Sequence, residues 1–241
     1  IMATISRSFD MITVGGDSKT RKGQGDGWLT AITYLVPAGQ MGLPNLCPWA
    51  SEGCTKGCLF SAGRGKFSNV QKARYNRTMR FVKDRDLYLR DLQSAIWKAR
   101  RFSAVQGMKL CVRLNGTSDI KWENYGVIDA YPDLQFYDYT KSISRMNKFL
   151  RGEMPKNYHL TFSVDESNFE QAIDILSKGG NVAMVFDEVP NIYAGYKVID
   201  GDKNDLRFLD RKGVIVGLKA KGDAIHDTTG FVHRVLERKV A

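Results

Sequence analysis

Three of the four cysteines in this chain lie within twelve positions, in Cys47-Pro-Trp-Ala-Ser-Glu-Gly-Cys54-Thr-Lys-Gly-Cys58. Six residues separate the first pair and three the second. A thiolate is a soft anionic ligand, and three on one loop suit an iron–sulfur cluster or a zinc ion. Pro44, Pro48, Gly53 and Gly57 let such a loop fold back and aim its side chains at one point. The spacing is not that of a zinc finger, so it implies a metal site without naming the metal. The competing reading is three reduced, unliganded thiols. A disulfide framework fits poorly, because four cysteines are few for 241 residues and a cluster of three leaves one unpaired. Cys111 lies in an apolar strand pattern and would be a fourth ligand only if that strand comes near the loop.

The elements that must position these thiols follow from periodicity. Strands are predicted over 31–37, 109–115, 134–140, 158–163, 181–186 and 214–218. Helices are predicted over 68–83, 86–102, 122–130, 144–150, 168–177 and 231–240. Ser68 and Gln71 have the form of a capping box. Leu89, Leu92, Ile96 and Ala99 recur at helical spacing. Strands alternating with helices in this way indicate βαβ units and a parallel sheet, with the cysteine loop after the first strand. Residues 1–27 are rich in glycine and read as a flexible arm or an edge hairpin. Residues 28–241 read as a single domain with a polar insertion at 188–213.

In parallel α/β folds, sites form where strands end. Cys111, Arg113 and Asn115 alternate on one face, and Gly116-Thr117-Ser118-Asp119 then turns away. The next strand carries Asp138. His159, Thr161, Ser163 and Asp165 share a face of the one after, and the last strand ends in Lys219 and Lys221. A polar face on nearly every strand points to a partial (β/α)6 barrel of TIM type, since a flat sheet covered on both sides shows continuous apolar runs. Arg113, Asn115, Asp119 and Lys219 are the foremost candidates. They suit a ligand with amino, carboxylate and ribose groups. Asp200-Gly-Asp202-Lys-Asn-Asp205 lacks the sixth-position glycine and distal glutamate of a calcium loop. It reads as a turn or an ion-paired insertion meeting Arg207 or Arg211.

The net charge is +10, and its distribution is uneven. Between Gly63 and Arg101, twelve lysines and arginines face three aspartates, an excess of nine. That favours a polyanionic partner, nucleic acid first, met by Arg64, Lys66, Lys72, Arg74, Arg77 and Arg80. The alternative is a solvated helical face. No apolar run approaches the length of a membrane span, and the start of the chain does not read as an export signal, so a soluble intracellular protein is expected.

A strand, three clustered cysteines, then alternating strands and helices with polar strand ends resembles the radical S-adenosylmethionine enzymes. The resemblance implies that Cys47, Cys54 and Cys58 hold a four-iron, four-sulfide (4Fe-4S) cluster whose open iron chelates S-adenosylmethionine. It places Asn115, Gly116, Thr117, Ser118, Asp138 and Ser163 around that cofactor, with Arg113, Asp119 and Lys219 in catalytic roles. That family spaces its cysteines by three and then two residues, and carries an aromatic where Gly57 stands. The chain also resembles a bacteriophage family catalogued as gene product eighty-eight. The matching stretches are Cys54-Thr-Lys-Gly-Cys-Leu-Phe-Ser-Ala-Gly-Arg-Gly65, Arg113-Leu-Asn-Gly-Thr-Ser-Asp119, Phe136-Tyr-Asp-Tyr-Thr-Lys141 and Val198-Ile-Asp-Gly-Asp202 through Gly217-Leu-Lys-Ala-Lys-Gly222. This implies a phage protein of the host-cell cytoplasm and supplies no activity. Together the resemblances lead to an iron–sulfur protein acting on or near nucleic acid. The alternative is a non-catalytic nucleic-acid-binding phage protein with a structural zinc or iron–sulfur site.

Overall fold

The computed structural model describes residues 4–58, 60 and 63–235. In chain order its elements are β1 (Arg7–Phe9), β2 (Ile12–Val14), α1 (Ser18–Lys22), β3 (Trp28–Ile32), α2 (Glu52–Lys56), α3 (Ser68–Lys83), α4 (Arg85–Val105), β4 (Lys109–Arg113), β5 (Gln135–Thr140), α5 (Ile143–Leu150), β6 (Tyr158–Ser163), α6 (Phe169–Ser177), β7 (Val182–Phe186), β8 (Ile192–Tyr193), β9 (Tyr196–Asp200), β10 (Ile215–Lys219) and β11 (Val232–His233). Among the described residues the strands form one sheet in the order β1-β2-β3-β4-β5-β6-β7-β10-β9-β8, with β11 beside β7. From β3 through β7 to β10 and β9, neighbours run parallel. The consecutive parallel order matches the alternating pattern in the sequence.

The sheet is open, so the expected TIM-type barrel is not what forms. Antiparallel pairings extend both edges, β1 and β2 beyond β3 and β8 beyond β9, and the outer parallel strands do not meet. The segment read as a flexible arm or an edge hairpin supplies the antiparallel edge pair β1 and β2 and the helix α1, and the polar insertion supplies β8 and β9.

One face of the sheet is apolar. Ala31, Val112, Phe136 and Tyr158 stand in register across four strands. With Leu29, Leu110, Leu160 and Phe162 they belong to the core that also takes Leu92, Ile96 and Ala99 of α4, Met146 of α5 and Ile175 of α6. α4 starts where Asp84 accepts the Leu87 N–H at 3.0 Å. α3 spans the expected residues, but no capping box forms. Its N-cap is Phe67, and Gln71 instead donates to the carbonyls of Phe60 (3.3 Å) and Gly65 (2.7 Å). The helix expected over 122–130 is a 3-10 turn, Trp122–Asn124, followed by turns. Gly126 at φ 68° interrupts it, and Trp122 points into the core beside Phe81 and Tyr88. Of the terminal helix expected over 231–240, residues 232–233 are strand β11 and residues 236–240 lie outside the described residues.

The opposite face is polar, and the insertion covers it. Asp205, buried, accepts from Arg113 (3.0 Å), Tyr137 (2.8 Å) and Tyr139 (3.1 Å), with Lys19 of α1 at 3.6 Å. Leu206 and Phe208 pack there on Cys111, Tyr137 and Trp28. Asp202 pairs with Lys221 and accepts the Lys219 N–H. The acidic run is therefore an ion-paired insertion, with Arg113, Lys19 and Lys221 as its partners in place of the expected Arg207 or Arg211. No helix among the described residues is long and apolar enough to cross a membrane.

Burial opposes ionisation of Asp205, but the Arg113 and Lys19 cations outweigh it and hold the carboxyl at about 2. A depressed folded pKa contributes stability above the unfolded value of about 4, and that contribution is lost as pH falls through about 2. Asp205→Asn strips the charge from a buried pair, and its expected cost is about 3–5 kcal/mol. Urea melts should show this loss at pH 7 and a narrowed gap between variant and parent below pH about 3.

Candidate metal centre

The loops after β4, β5 and β6 converge on the cysteine stretch, and each thiol rests on a differently braced piece of chain. The Cys47 N–H bonds the Asn45 carboxamide oxygen at 2.8 Å, and its sulfur donates to the Thr117 carbonyl at 3.4 Å. One residue earlier, the Leu46 carbonyl accepts the Asp119 N–H at 2.8 Å. Cys54 lies in α2, where Ser51 caps the helix by accepting the Cys54 N–H at 3.1 Å. Glu166, beyond β6, takes the Ser51 hydroxyl at 2.7 Å and the Gly53 N–H at 2.8 Å, so one carboxylate pins α2 to the β6 loop. A Cβ on Gly53 would fall 2.2 Å from Thr229 Oγ1 and 2.6 Å from Phe231 Cβ, so only glycine fits. The Cys58 sulfur accepts the Phe60 N–H at 3.5 Å. Beneath it, buried Arg74 donates to the Phe60 carbonyl at 3.3 Å and lies over the rings of Tyr34 and Phe60.

Burial pushes the Cys47 thiol up to about 12, and the charges of Cys58, Asp119 and Cys54 add to the shift. Burial raises Cys54 and Cys58 too, against the pull of Lys141 on the former and of the Phe60 N–H and Arg74 on the latter. Cys47 feels the charges of Cys58 and Cys54, and Cys54 that of Cys58, so the three thiols are neighbours. A metal binding there displaces protons. Among the described residues, no three His, Cys, Asp or Glu side chains close tightly enough to hold a single ion. Cys111 is elsewhere, inside the sheet against Thr30 Oγ1 (3.4 Å), Tyr137 and Leu206.

The turn after β4 is a frame for this loop. The chain bends at Leu114, so Asn115 leaves the face of Cys111 and Arg113. Its carboxamide oxygen accepts from Ser118 Oγ (2.8 Å), the Ile120 N–H (2.9 Å) and Trp122 Nε1 (3.0 Å). Asp138 accepts the Asn115 N–H and the Tyr158 hydroxyl, both at 2.7 Å. Burial pushes Asp138 up to about 7 against those two donors. Asp119 accepts from Arg145 (2.7 Å), the Lys141 N–H (2.9 Å) and Thr140 (3.2 Å). Arg145, its side chain 2% exposed, also grips Glu123 with two bonds of 2.8 Å. Gly116 admits no side chain, since a Cβ would meet the Thr33 carbonyl at 2.6 Å.

Of the residues expected around a cofactor, Asn115, Ser118, Asp119 and Asp138 are thus tied to one another and to the frame, and Thr117 meets Cys47 through its carbonyl. Ser163 accepts from Lys141 Nζ at 3.2 Å, which also pairs with Asp165 at 3.4 Å. Arg113 belongs to Asp205 on the polar face. Lys219 ends β10, four places along the sheet from β4, with its side chain exposed. The charges of Lys141, Asp165 and Glu166 all act on the Cys54 thiol. Of these, Asp165 stands out in the strand pattern of the sequence. Glu166 and Arg145 carried no signal beyond their charge.

The expected nucleic-acid residues are dispersed. Arg74 is buried under Cys58. Arg77 donates to the Asp10 carbonyl at 2.7 Å, and Arg80 pairs with Asp10 and Asp91. Lys66 and Lys72 are exposed, and the side chain of Arg64 lies outside the described residues. Burial and internal pairing therefore remove Arg74 and weaken Arg77 and Arg80 as phosphate contacts.

A family model described as gene product 88 matches residues 10–235. The chain belongs to the gene product 88 family. This is the bacteriophage family whose motifs the sequence resembles, and the match takes in all three clustered cysteines, the frame of Asn115 to Asp119 and the Asp205 cover. No curated protein matches the chain, and no solved structure does.

Replacing Arg145 by methionine leaves Asp119 and Glu123 buried without their cation. The expected loss is about 3–5 kcal/mol, read from urea denaturation. Glu166→Gln keeps the shape but gives up the charged acceptor of two donors. Hydrogen exchange at Gly53 and Cys54 should quicken at least about tenfold while the core of β4 to β6 keeps its protection.

Proposed function

We propose that this chain is an iron–sulfur protein whose cluster is held by Cys47, Cys54 and Cys58 and which works on or beside nucleic acid, as the radical S-adenosylmethionine enzymes it resembles would imply. The observation that carries the reading is the set of three half-buried thiols on the one loop after β3, braced by the segments that follow β4 and β6. The donor set fits the group. Three soft thiolates on one loop are the donors that such a cluster takes, and a structural zinc ion is the alternative. When bound, a cluster on three thiolates supplies one-electron chemistry and an iron with an open position.

The chain's own residues prepare that place. Lys141 beside Cys54 and Arg74 beside Cys58 offset the negative charge that thiolates and sulfide bring. Glu166 and the Asn115–Asp119 frame hold the loop so that little is left to order on binding. Phe60, Val36 and Leu43 pack against Cys58 and limit water on that side.

Protein purified without oxygen should carry about four iron and four acid-labile sulfide per chain. Alanine at Cys47, Cys54 or Cys58 should remove most of both, and alanine at Cys111 should not. Reduced holoprotein should bind S-adenosylmethionine and cleave it. Zinc without sulfide, or metal content indifferent to the three substitutions, would refute the cluster. A full cluster with no S-adenosylmethionine binding would leave an iron–sulfur protein outside the radical chemistry.

A further inference from the structure

A second basic surface lies away from α3. An open groove of about 670 Å³ runs under the amino ends of β4, β5 and β6, lined among others by Trp28, Arg100, Lys109, Asp133, Gln135 and Lys156. Asp133 is the one acid in that lining, and Arg100 takes it in an ion pair. Among the described residues neither Lys109 nor Lys156 pairs with a carboxylate, and Lys109 instead lies over the Trp28 ring at 5.4 Å. Ala104 of α4 also lines the groove. Residues three, four and seven apart share a helix face, so Trp97 and Arg101 continue the wall outward from Arg100 and Ala104. Trp97 is 48% exposed, and the Arg101 guanidinium sits 4.9 Å above its ring.

We propose that this groove, continued by Trp97 and Arg101, binds single-stranded nucleic acid. Lys109, Lys156 and Arg101 are placed to meet successive phosphates, and an exposed indole beside a guanidinium offers a stacking platform that needs an unpaired base. A duplex keeps its bases stacked inside and gains nothing from Trp97. A polyanion also answers the charge here, where the acid is already neutralised and the cations are not. The inference takes only the nucleic-acid partner from the proposed function and moves it to a different face. The groove lies at the amino ends of the strands and the cysteines at their carboxyl ends. The five residues of β4 put roughly 16 Å between the two. Binding in the groove is an anchor, and it survives loss of the cysteines.

The test is fluorescence anisotropy with a labelled oligothymidylate of about 20 nucleotides across a salt series, using the full chain. Affinity should fall steeply with salt. A variant carrying Arg101→Ala, Lys109→Ala and Lys156→Ala should flatten the slope of log K against log salt by about 2, at about 0.7 per phosphate contact. Trp97→Ala should weaken binding about tenfold, and Trp97→Phe should restore most of it. All these positions are on the surface, and unchanged thermal melts would show that the fold is kept. A variant with Cys47, Cys54 and Cys58 all replaced by alanine should bind like the parent, so failure of the cluster does not touch this result. Binding that tracks Lys66→Ala and Lys72→Ala instead of the groove variant, a duplex competing as well as the single strand, or no saturable binding at low salt would each overturn the proposal.

Discussion

A guanidinium with 2% of its side chain exposed is the constraint on which the site rests. Taking the Arg145 charge out of water is costly, and it is tolerated only where acceptors surround it. Asp119 and Glu123 come from the segment after β4, Thr140 from the end of β5 and Tyr158 from the start of β6, and all four meet this one side chain of α5. Once Asp119 is fixed, its N–H holds the Leu46 carbonyl, and the Cys47 sulfur falls on the neighbouring Thr117 carbonyl. Tyr158 passes the constraint to Asp138, and Asp138 to Asn115, whose carboxamide closes the turn. The place of one candidate ligand therefore depends on a helix remote from it in sequence. The network is satisfied by protein groups throughout, the condition under which a buried polar cluster adds rigidity rather than strain.

The two faces of the sheet solve opposite problems. The apolar face is covered by α4, α5 and α6 through ordinary packing. The polar face carries Arg113, Tyr137 and Tyr139, which no apolar helix could cover without leaving them unsatisfied. The insertion after β7 meets them with Asp205, and α1 adds Lys19. The segment thus becomes a lid through ion pairs and the packing of Leu206 and Phe208, and it also adds β8 and β9 to an edge. With both edges extended, the strands have no cause to curl back on themselves.

Much of the fold was legible because parallel strands buried on one face at least write their period plainly. Tyr158–Ser163 and Ser68–Lys83 fall where the pattern puts them, and the other long elements shift by one to three residues. Larger departures are the helices expected over 122–130 and 231–240, and β3, read within 28–38 from its apolar run 31–37. The ladder covers Trp28–Ile32 and the rest continues as extended chain, because only the earlier residues find partners on β4. Residues 7–26 looked loose because three-residue strands and a five-residue helix are too short to show a period. The cysteine loop was visible from residue type alone. Its supports were not, since Arg145 and Glu166 act through contacts with residues roughly twenty to more than a hundred positions away. The charged run misled in detail. Composition counts arginines without seeing that Arg74 lies under aromatic rings and Arg80 against Asp10.

These features give the molecule two separated ends, a soft-ligand end at the carboxyl termini of the strands and a cationic groove at their amino termini. The central claim concerns the first, that three thiols on one braced loop hold a multi-iron cluster. The most direct measurement is low-temperature electron paramagnetic resonance of anaerobic protein after chemical reduction, with spin counted against protein. The account predicts a signal of a reduced four-iron cluster at close to one spin per chain, absent when Cys54 is alanine and unchanged when Cys111 is. Three readily alkylated thiols in the Cys47–Cys58 loop with no such signal would contradict it.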